Sequence, residues 1–360
     1  MSISTRKSAL SGLALLGTSA LLLAGCAAAP DAETPSTDSA SDFLPCMISD
    51  AGGFDDQSFN QLGFEGLMEA SDALGVTPIT VESADETVYA SNTSNLIDQD
   101  CDLIIAAGYL LADATSEAAT ANEDVNFAIV DDNSIDLPNV KPITFNTAEA
   151  AFLAGYAAAS YSKTGVVGTY GGIPIASVTI FMDGFVEGVD YFNEQNSADV
   201  SAIGWNVDTQ EGAFTGGFAA GVDSKTQAQN LIDQNADVIL PVGGPIFLSA
   251  IEAITDSGKD IALIGVDGDL AENATSGNEL FLTSVLKDIT LAVSTVVTTA
   301  ADDDFDATPY VGNLENEGVG LAEFHDFADK VSPDLQGELD EITAGIVDGS
   351  IVVESISTPQ

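Results

Sequence analysis

Basic residues are scarce in this 360-residue chain. It contains eight Lys and Arg against 57 Asp and Glu, which gives a formal net charge of −49. Nucleic-acid affinity depends on pairing phosphates with Lys and Arg, and anionic lipid surfaces attract proteins in the same way. The composition therefore excludes a protein that binds nucleic acid or a lipid surface through charge.

Histidine and cysteine, which supply many catalytic bases and nucleophiles, are almost absent. His325 is the only histidine, so a Ser-His-Asp type of site would have to form around the C-terminal region. No P-loop is present, and no GxGxxG is followed by an acid that could bind a ribose. We expect no enzyme, no catalytic residues, no cofactor and no metal. A paired-carboxylate hydrolase or a hard-metal site stays open, although no spacing of acids favours either.

Long apolar runs are missing beyond the N-terminus. Arg6 and Lys7 precede a run that starts at Ala9 and ends in Leu-Ala-Gly-Cys at Cys26. The run is short for a membrane span and is typical of a secretory signal. Its last four residues resemble the bacterial lipobox, whose cysteine is lipidated. We therefore predict a signal peptide over 1–25, a lipidated Cys26 with a flexible tether over 26–42, and attachment to the extracytoplasmic face of the cell membrane.

Two cysteines remain once Cys26 carries lipid. Cys46 and Cys101 each begin an apolar, strand-like run, and the compartment is oxidising. If these strands are parallel neighbours in register, as the first and third strands are in a 2-1-3 order, the sulfurs can be joined. We predict a structural disulfide.

The chain contains an internal repeat. NLIDQDCDLIIAAG at 95–108 is matched by NLIDQNADVILPVG at 230–243, and FAIVDD at 127–132 by LIGVDGD at 263–269. The nearly equal offset of the two pairs indicates two copies of one architecture.

Each copy alternates short apolar runs with helix-period stretches, as βαβ units with a buried parallel sheet do. The fold predicted is α/β, with two doubly wound parallel-sheet lobes. In the first copy the predicted strands are near 45–49, 77–81, 102–107, 126–130 and 142–145, with helices such as 58–73, 89–99 and 112–121. In the second they are near 165–169, 200–205, 237–242 and 261–266, with helices around 175–193, 224–234 and 246–257.

Candidate binding residues lie where the predicted strands end, because open parallel sheets bind ligands there. Asp131 and Asp267 occupy equivalent strand ends in the two copies, and a carboxylate suits a vicinal diol or the N–H edge of a base. Lys287 is a rare cation at the point where the chain should return to the first lobe. Phe59 from one lobe and Phe181 from the other could hold a planar ligand by stacking, with Phe218 a lesser candidate.

These segments resemble one protein family. GFDDQSFNQLGFEGL (53–67) resembles the DDxSFNQ motif of the basic membrane protein family of bacterial lipoproteins, the PnrA-like nucleoside receptors. Further segments resemble that family in the same order over about 46–290: DLIIAAGYLLADA (102–114), FAIVDD (127–132), TFNTAEAAFLAGYAAA (144–159), DVILPVGG (237–244) and IGVDGD (264–269).

The resemblance implies a type I periplasmic-binding-protein fold, an ABC permease as partner and a purine nucleoside as cargo. It places the ligand-binding residues at Asp50, Phe59, Asn60, Asp131, Phe181, Gly244, Asp267 and Lys287. The chain departs from the family in its long connection at 204–221, which leaves Phe218 as a rival to Phe181. It also lacks the basic residues common around 171–185.

The domain division expected from these patterns is discontinuous: an N-terminal lobe of 43–146 and 283–325, a C-terminal lobe of 147–282, and a segment 326–360 that packs across both. The predicted function is a monomeric substrate-binding lipoprotein that captures a purine nucleoside between the lobes. The alternatives are a receptor for a sugar or another small polar solute, an Asp-dependent hydrolase, and a surface sensor.

Overall fold

The computed structural model describes residues 42–359. The predicted signal peptide, the predicted lipidation site Cys26 and all of the predicted tether except Asp42 lie outside the described residues.

Strands and helices alternate through the first part of the described chain. Their order is β1 (Pro45–Ser49), α1 (Phe59–Leu74), β2 (Ile79–Val81), α2 (Tyr89–Ile97), β3 (Leu103–Ala107), α3 (Ala112–Ala121), β4 (Asn126–Val130), β5 (Val140–Phe145) and α4 (Thr147–Tyr161). Every residue of β1 and β3 is buried, as expected for apolar strands covered by helices on both faces.

The second part begins with the same alternation and ends with a different set of elements. It contains β6 (Val166–Gly171), α5 (Ala176–Asn196), β7 (Ser201–Ile203), β8 (Trp205–Asn206), β9 (Glu211–Gly212), α6 (Val222–Asp233), β10 (Val238–Val242), α7 (Ile246–Ser257), β11 (Ala262–Asp267), α8 (Leu270–Asn273), β12 (Phe281–Lys287), α9 (Ile289–Ala301), β13 (Tyr310–Gly312), β14 (Val319–Leu321) and α10 (Leu335–Val347). All nine predicted strands and all six predicted helices are present; β1, β4, α3 and α7 have the predicted ends, the other elements have shifted ends, and the strand predicted at 200–205 is divided between β7 and β8.

Two six-stranded sheets form the framework, and they share one strand order. The first is β2-β1-β3-β4-β5-β13 and the second is β7-β6-β10-β11-β12-β14. All pairings are parallel except that of β14 with β12. Because β3 and β10 occupy the same place in their sheets, the internal repeat corresponds to a repeated sheet. The predicted α/β class with two parallel-sheet lobes is confirmed.

Each helix is assigned to a lobe by the sheet and the helices that it packs against. The first lobe comprises the first sheet with α1, α2, α3 and α9, and the second lobe comprises the second sheet with α4 to α7. Close contact of α4 with α5 depends on glycine: a Cβ at Gly155 would lie 2.0 Å from the carbonyl oxygen of Phe185, and one at Gly188 would lie 2.0 Å from that of Phe152.

Three neighbouring crossovers connect the lobes, after β5, after β12 and after β13. The backbone N–H of Asn146 donates to the carbonyl of Gly312 at 2.7 Å, and that of Asp288 donates to Gly318 at 3.0 Å. The predicted boundary at 282/283 would divide β12, which pairs along its length with β11 in the second sheet. The predicted division into lobes otherwise stays a prediction.

A disulfide joins Cys46 and Cys101, with their Cα atoms 6.0 Å apart. The predicted in-register arrangement of the two residues is wrong: Cys46 of β1 lies opposite Ile104 of β3, and Cys101 precedes that strand by two residues. Cys101 reaches the bridge from the loop between α2 and β3. Both cysteines are buried in the apolar layer on this side of the first sheet.

Loss of this disulfide should lower the free energy of unfolding by about 3 kcal/mol, because the cross-link restricts the unfolded chain. Equilibrium denaturation of the wild type with and without reductant measures the loss. The Cys46→Ala/Cys101→Ala variant is the control and should not respond to reductant. Equal stability of the wild type in both conditions would contradict this role.

Candidate functional site

A cavity lies between the carboxyl ends of the two sheets. Asp50 follows β1, Gly108 follows β3, Asp131 follows β4, Gly243 follows β10, and Asp267 and Lys287 end β11 and β12. Parallel sheets place their ligand sites at this edge because the strand-to-helix loops of neighbouring strands converge there. All eight binding residues predicted from sequence line this cavity: Asp50, Phe59, Asn60, Asp131, Phe181, Gly244, Asp267 and Lys287.

The loop between β1 and α1 is held by carboxylates. Asp56 accepts hydrogen bonds from the backbone N–H groups of Ser58, Asn60 and Gln61, so it fixes the start of α1. The amide Nδ2 of Asn60 donates to Asp50 at 2.9 Å and to Asp56 at 3.1 Å. Burial raises the pKa of both carboxyl groups above the usual value.

Asn60 keeps one polar atom unused. Its Nδ2 is occupied by the two aspartates, while its Oδ1 is buried and has no hydrogen-bond partner. Buried acceptors without partners are uncommon, because such an atom loses its hydrogen bonds to water and gains none in the protein. Asn60 lines the cavity, so this unpaired acceptor belongs to a side chain at the cavity wall.

A buried ion cluster occupies another part of the cavity. The ammonium Nζ of Lys287 lies 2.6 Å from Asp131 Oδ2 and 3.2 Å from Asp267 Oδ1. Asp131 belongs to the first lobe and the other two belong to the second, so the cluster bridges the lobes. Both aspartates have a left-handed backbone, with φ of 62° and 69°, a conformation that side chains other than Asn and Asp seldom adopt.

Burial and charge act in opposite directions on this cluster. Burial opposes the ammonium charge of Lys287, but the two carboxylates outweigh it and raise the pKa of Lys287. Burial also raises the pKa of Asp131, and Lys287 only partly offsets that rise. Three phenyl rings surround the ammonium, with centroids 5.0 Å (Phe181), 5.4 Å (Phe59) and 5.7 Å (Phe145) away.

Three phenylalanines line the cavity, and they differ in exposure. Phe181 is 1% exposed and lies beside Lys287 at the floor. Phe59 and Phe218 are half-buried and belong to opposite lobes. The ring of Phe218 packs flat against a backbone without side chains, since a Cβ at Gly172 or Gly243 would lie 2.4 Å or 2.6 Å from it.

Several residues at the site were not selected from the sequence. Ser58 is the clearest case, because its hydroxyl contacts the Val266 carbonyl at 3.2 Å and Asp267 Oδ2 at 3.1 Å, linking the lobes. Asp56 was recognised only as one of many strand-end acids. Its position three residues ahead of Phe59, at a helix start, is the signal that identifies it as a cap.

One group outside the cavity has the atoms to hold a metal ion. The ligand atoms of Asp269, Glu272 and His325 lie within 4.8 Å of one another. His325 Nε2 is 2.7 Å from Asp269 Oδ2, and this hydrogen bond raises the pKa of the imidazole. The only histidine of the chain is therefore engaged away from the cavity, and no sequence pattern had assigned it a ligand role.

The family model of PnrA-like ABC transporter substrate-binding proteins matches residues 43–353. The chain belongs to this family.

PnrA-like relatives cover nearly the whole chain. The CD4+ T-cell-stimulating antigen of Listeria innocua is 30% identical over 359 residues, 95% of this chain and 96% of the relative. The ABC transporter nucleoside-binding protein BmpA of Lactococcus lactis subsp. cremoris is 29% identical, covering 96% of this chain and 98% of BmpA. A solved ABC solute-binding protein from Aeropyrum pernix K1 has a TM-score of 0.78 at 22% identity, over 88% of this chain and 94% of that one.

Membership in the PnrA-like family defines the protein's class. It is a substrate-binding protein of an ABC transporter and not an enzyme, with a small-molecule substrate and a permease as partner. Substrate-binding proteins of this family are extracytoplasmic. Within residues 42–359, no helix has the length and apolarity needed to cross a bilayer.

Replacement of Lys287 by Met should lower the free energy of unfolding by about 3–5 kcal/mol near neutral pH, because two buried carboxylates lose their counter-ion. Burial raises the pKa of Asp131, and the variant lacks the ammonium that partly offsets this rise, so the folded pKa of Asp131 should lie above its unfolded value. Such groups stabilise the folded state less as pH rises, so the loss should be larger at about pH 7.5 than at about pH 5. Urea denaturation at both values measures it.

Lys163→Met is the matched control. Its ammonium pairs with Asp260 at 3.0 Å on the surface, where both side chains are largely exposed, and the loss should stay below about 1 kcal/mol. Equal losses in the two variants would contradict the role assigned to the buried cluster.

Proposed function

We propose that this substrate-binding protein captures a purine nucleoside in the cavity between its lobes and presents it to an ABC permease. One observation carries the proposal: phenyl rings from opposite lobes, buried hydrogen-bond acceptors and a buried hydrogen-bond donor line a single cavity. A nucleoside has a flat base with apolar faces and a hydroxylated sugar, so its site needs both apolar rings and polar groups. BmpA of Lactococcus lactis, whose name states nucleoside binding, supports the same cargo.

The base would stack between rings of the two lobes. Phe59 supplies the ring of the first lobe. The resemblance places the second ring at Phe181, but Phe181 is almost fully covered beside Lys287, whereas Phe218 presents a half-buried ring to the same cavity. We propose that Phe59 and Phe218 hold the base and that Phe181 forms the floor. An offset stack of this kind contributes about 0.5–1.5 kcal/mol beyond the area it buries.

The edge of the base would meet the first-lobe loop. Asn60 Oδ1 is the buried acceptor without a partner, and the carboxylate of Asp50 lies beside it as a second acceptor. A base that offers N–H donors would satisfy both. From the second lobe, Gly244 follows β10 with φ of 46° and faces this loop, since a Cβ there would lie 4.0 Å from Asp56 Oδ2; the absence of a side chain would leave its backbone open to the ligand.

The sugar would lie at the ion cluster. Asp131 and Asp267 are acceptors for a vicinal diol, and the ammonium of Lys287 is a donor between them. Ligand hydroxyls would then take up lone pairs and N–H groups that no protein group uses.

Closure of the two lobes would complete the site. The Asp131–Lys287 ion pair and the Ser58 hydrogen bond to Asp267 both join the lobes next to the cavity. The three crossovers would serve as the hinge. We place the lobe boundaries after Phe145, after Lys287 and after Gly312. We further propose that Cys26 carries the lipid anchor and that the protein works as a monomer.

Titration calorimetry of the ligand-stripped mature protein tests the cargo. Adenosine, guanosine, inosine, uridine and ribose should be titrated separately, and purine nucleosides should bind with Kd in the range of about 1 μM or below, while ribose gives no heat. Binding of ribose alone would replace the proposal by a sugar receptor. Release of free base during the titration would contradict the assignment of a non-enzymatic role to the site.

Phe59→Leu tests stacking at the first-lobe ring. It keeps an apolar side chain but removes the ring, and nucleoside affinity should fall about tenfold. Phe64→Leu is the matched control, because Phe64 lies on the same helix and packs against Phe54 with centroids 5.0 Å apart, away from the cavity. It should leave the affinity unchanged. Equal effects of the two variants would show that Phe59 acts only through packing.

Phe218→Leu distinguishes the second-lobe rings. Nucleoside affinity should fall about tenfold in this variant, as measured by the same titration. Phe181→Leu should mainly lower stability, since that ring is buried. If Phe218→Leu binds nucleosides as tightly as the wild type, the second stacking ring is Phe181 as the family resemblance implies.

A further inference from the structure

A second chamber adjoins the binding cavity on the far side of the ion cluster. Its volume is about 320 Å³, and Tyr109, Asp131, Ser177 and Lys287 line both spaces. The other walls come from the loop after β4 (132–134), the first crossover (144, 145 and 147), the start of α5 and the last four residues of the C-terminal segment, which we define as 352–359. The two spaces are therefore neighbours, and the Asp131–Lys287 pair forms part of the wall of each.

The C-terminal segment is fastened in place as the outer wall. Ser355 Oγ donates to Asp183 Oδ2 at 2.6 Å, and the Glu354 N–H donates to Glu187 Oε2 at 2.9 Å. The hydroxyls of Ser357 and Thr179 are 2.7 Å apart. These hydrogen bonds attach the segment to α5 of the second lobe. The outer wall of the chamber is therefore held in place by the second lobe.

An unpartnered polar atom lies in the chamber wall. Thr147 is fully buried at the start of α4, and its Oγ1 has no hydrogen-bond partner. Leaving a buried hydroxyl unpaired costs folding free energy, which is regained when a ligand supplies the missing partner. Thr147 lines the second chamber and is absent from the walls of the first cavity.

The charge of the chamber limits what it can accept. Asp132 adds a carboxylate to that of Asp131, and Lys287 is the only basic residue in the wall, with its ammonium already shared by two aspartates. A phosphate would meet net negative charge and no free donor cation. A neutral group that carries hydroxyls suits the wall, since Thr147 and Ser177 provide hydroxyls and Phe145 and Ile180 provide apolar surface.

We propose that this chamber is an extension of the binding site that accepts an uncharged, hydroxyl-bearing substituent on the sugar of the cargo. The inference rests on the proposed function, because the sugar is placed at the ion cluster that both spaces share. The protein would then take nucleosides with a neutral extension on the sugar as well as simple ones, and it would reject nucleotides.

Four ligands test the chamber by calorimetry on the full mature protein. They are the tightest-binding of adenosine, guanosine and inosine, its 5′-O- and 2′-O-(2-hydroxyethyl) derivatives, and its 5′-monophosphate. At least one neutral derivative should bind within about threefold of the parent, and the monophosphate at least about a hundredfold more weakly. If the parent binds and both neutral derivatives fail, the chamber is not a subsite. If the parent itself fails, the proposed function falls and this inference falls with it.

Variants connect the effect to the chamber. Thr147→Val keeps the shape and removes the unpartnered hydroxyl, so it should weaken the accepted derivative about fivefold more than it weakens the parent. Thr358→Trp should fill the chamber and weaken that derivative at least about tenfold. The control Val352→Trp lies in the same C-terminal segment, where Val352 is 70% exposed and lines neither space, and it should change neither affinity.

Parallel losses for the parent and its derivative in the Thr147 and Thr358 variants would overturn the chamber, and so would no loss for either ligand. Melting curves of each variant show whether the fold is retained.

Discussion

The buried cluster of Lys287 with Asp131 and Asp267 is the constraint on which the rest of the site depends. The three side chains are at most 10% exposed, and buried charges persist only when they are paired and hydrogen-bonded. The cluster is also the point where β4, β11 and β12 meet across two lobes. In the proposed function, the position of the sugar and the selection against charged ligands would depend on the same three side chains that link the lobes.

Much of the architecture was predictable because the relevant signals are local. Strands such as β3 and β10 are short apolar runs flanked by turn residues, and their repetition showed that two sheets exist. Elements whose identity depends on tertiary context were harder. β12 was not predicted as a strand, because its place beside β11 is set by packing. The hairpin of β8 and β9 lies inside the connection over 204–221, where no apolar alternation marks a strand pair.

In the candidate site, too, residues with local sequence signals could be predicted and residues that depend on tertiary contacts could not. Asp131 and Asp267 were identifiable because each ends a strand in matching copies, and Lys287 because cations are rare in this chain. Ser58 and the free acceptor of Asn60 were not, since a hydrogen bond over 209 residues and an unpartnered oxygen are properties of the assembled lobes. The disulfide shows that the right pair can follow from an incorrect register: pairing of Cys46 and Cys101 needed only the neighbouring strands β1 and β3, and Cys101 bonds from outside its strand.

The three crossovers have a mechanical consequence. They run side by side, with β5 paired to β13 and β12 paired to β14, and hydrogen bonds of Asn146 and Asp288 connect one to the next. Three neighbouring segments of one chain, joined by hydrogen bonds, form a ribbon. Such a ribbon bends more easily across its plane than it twists or slides within it. If the lobes close as proposed, such a hinge should favour rotation in one direction, and each closure would bring Phe59, Asp131 and Lys287 to the same relative positions.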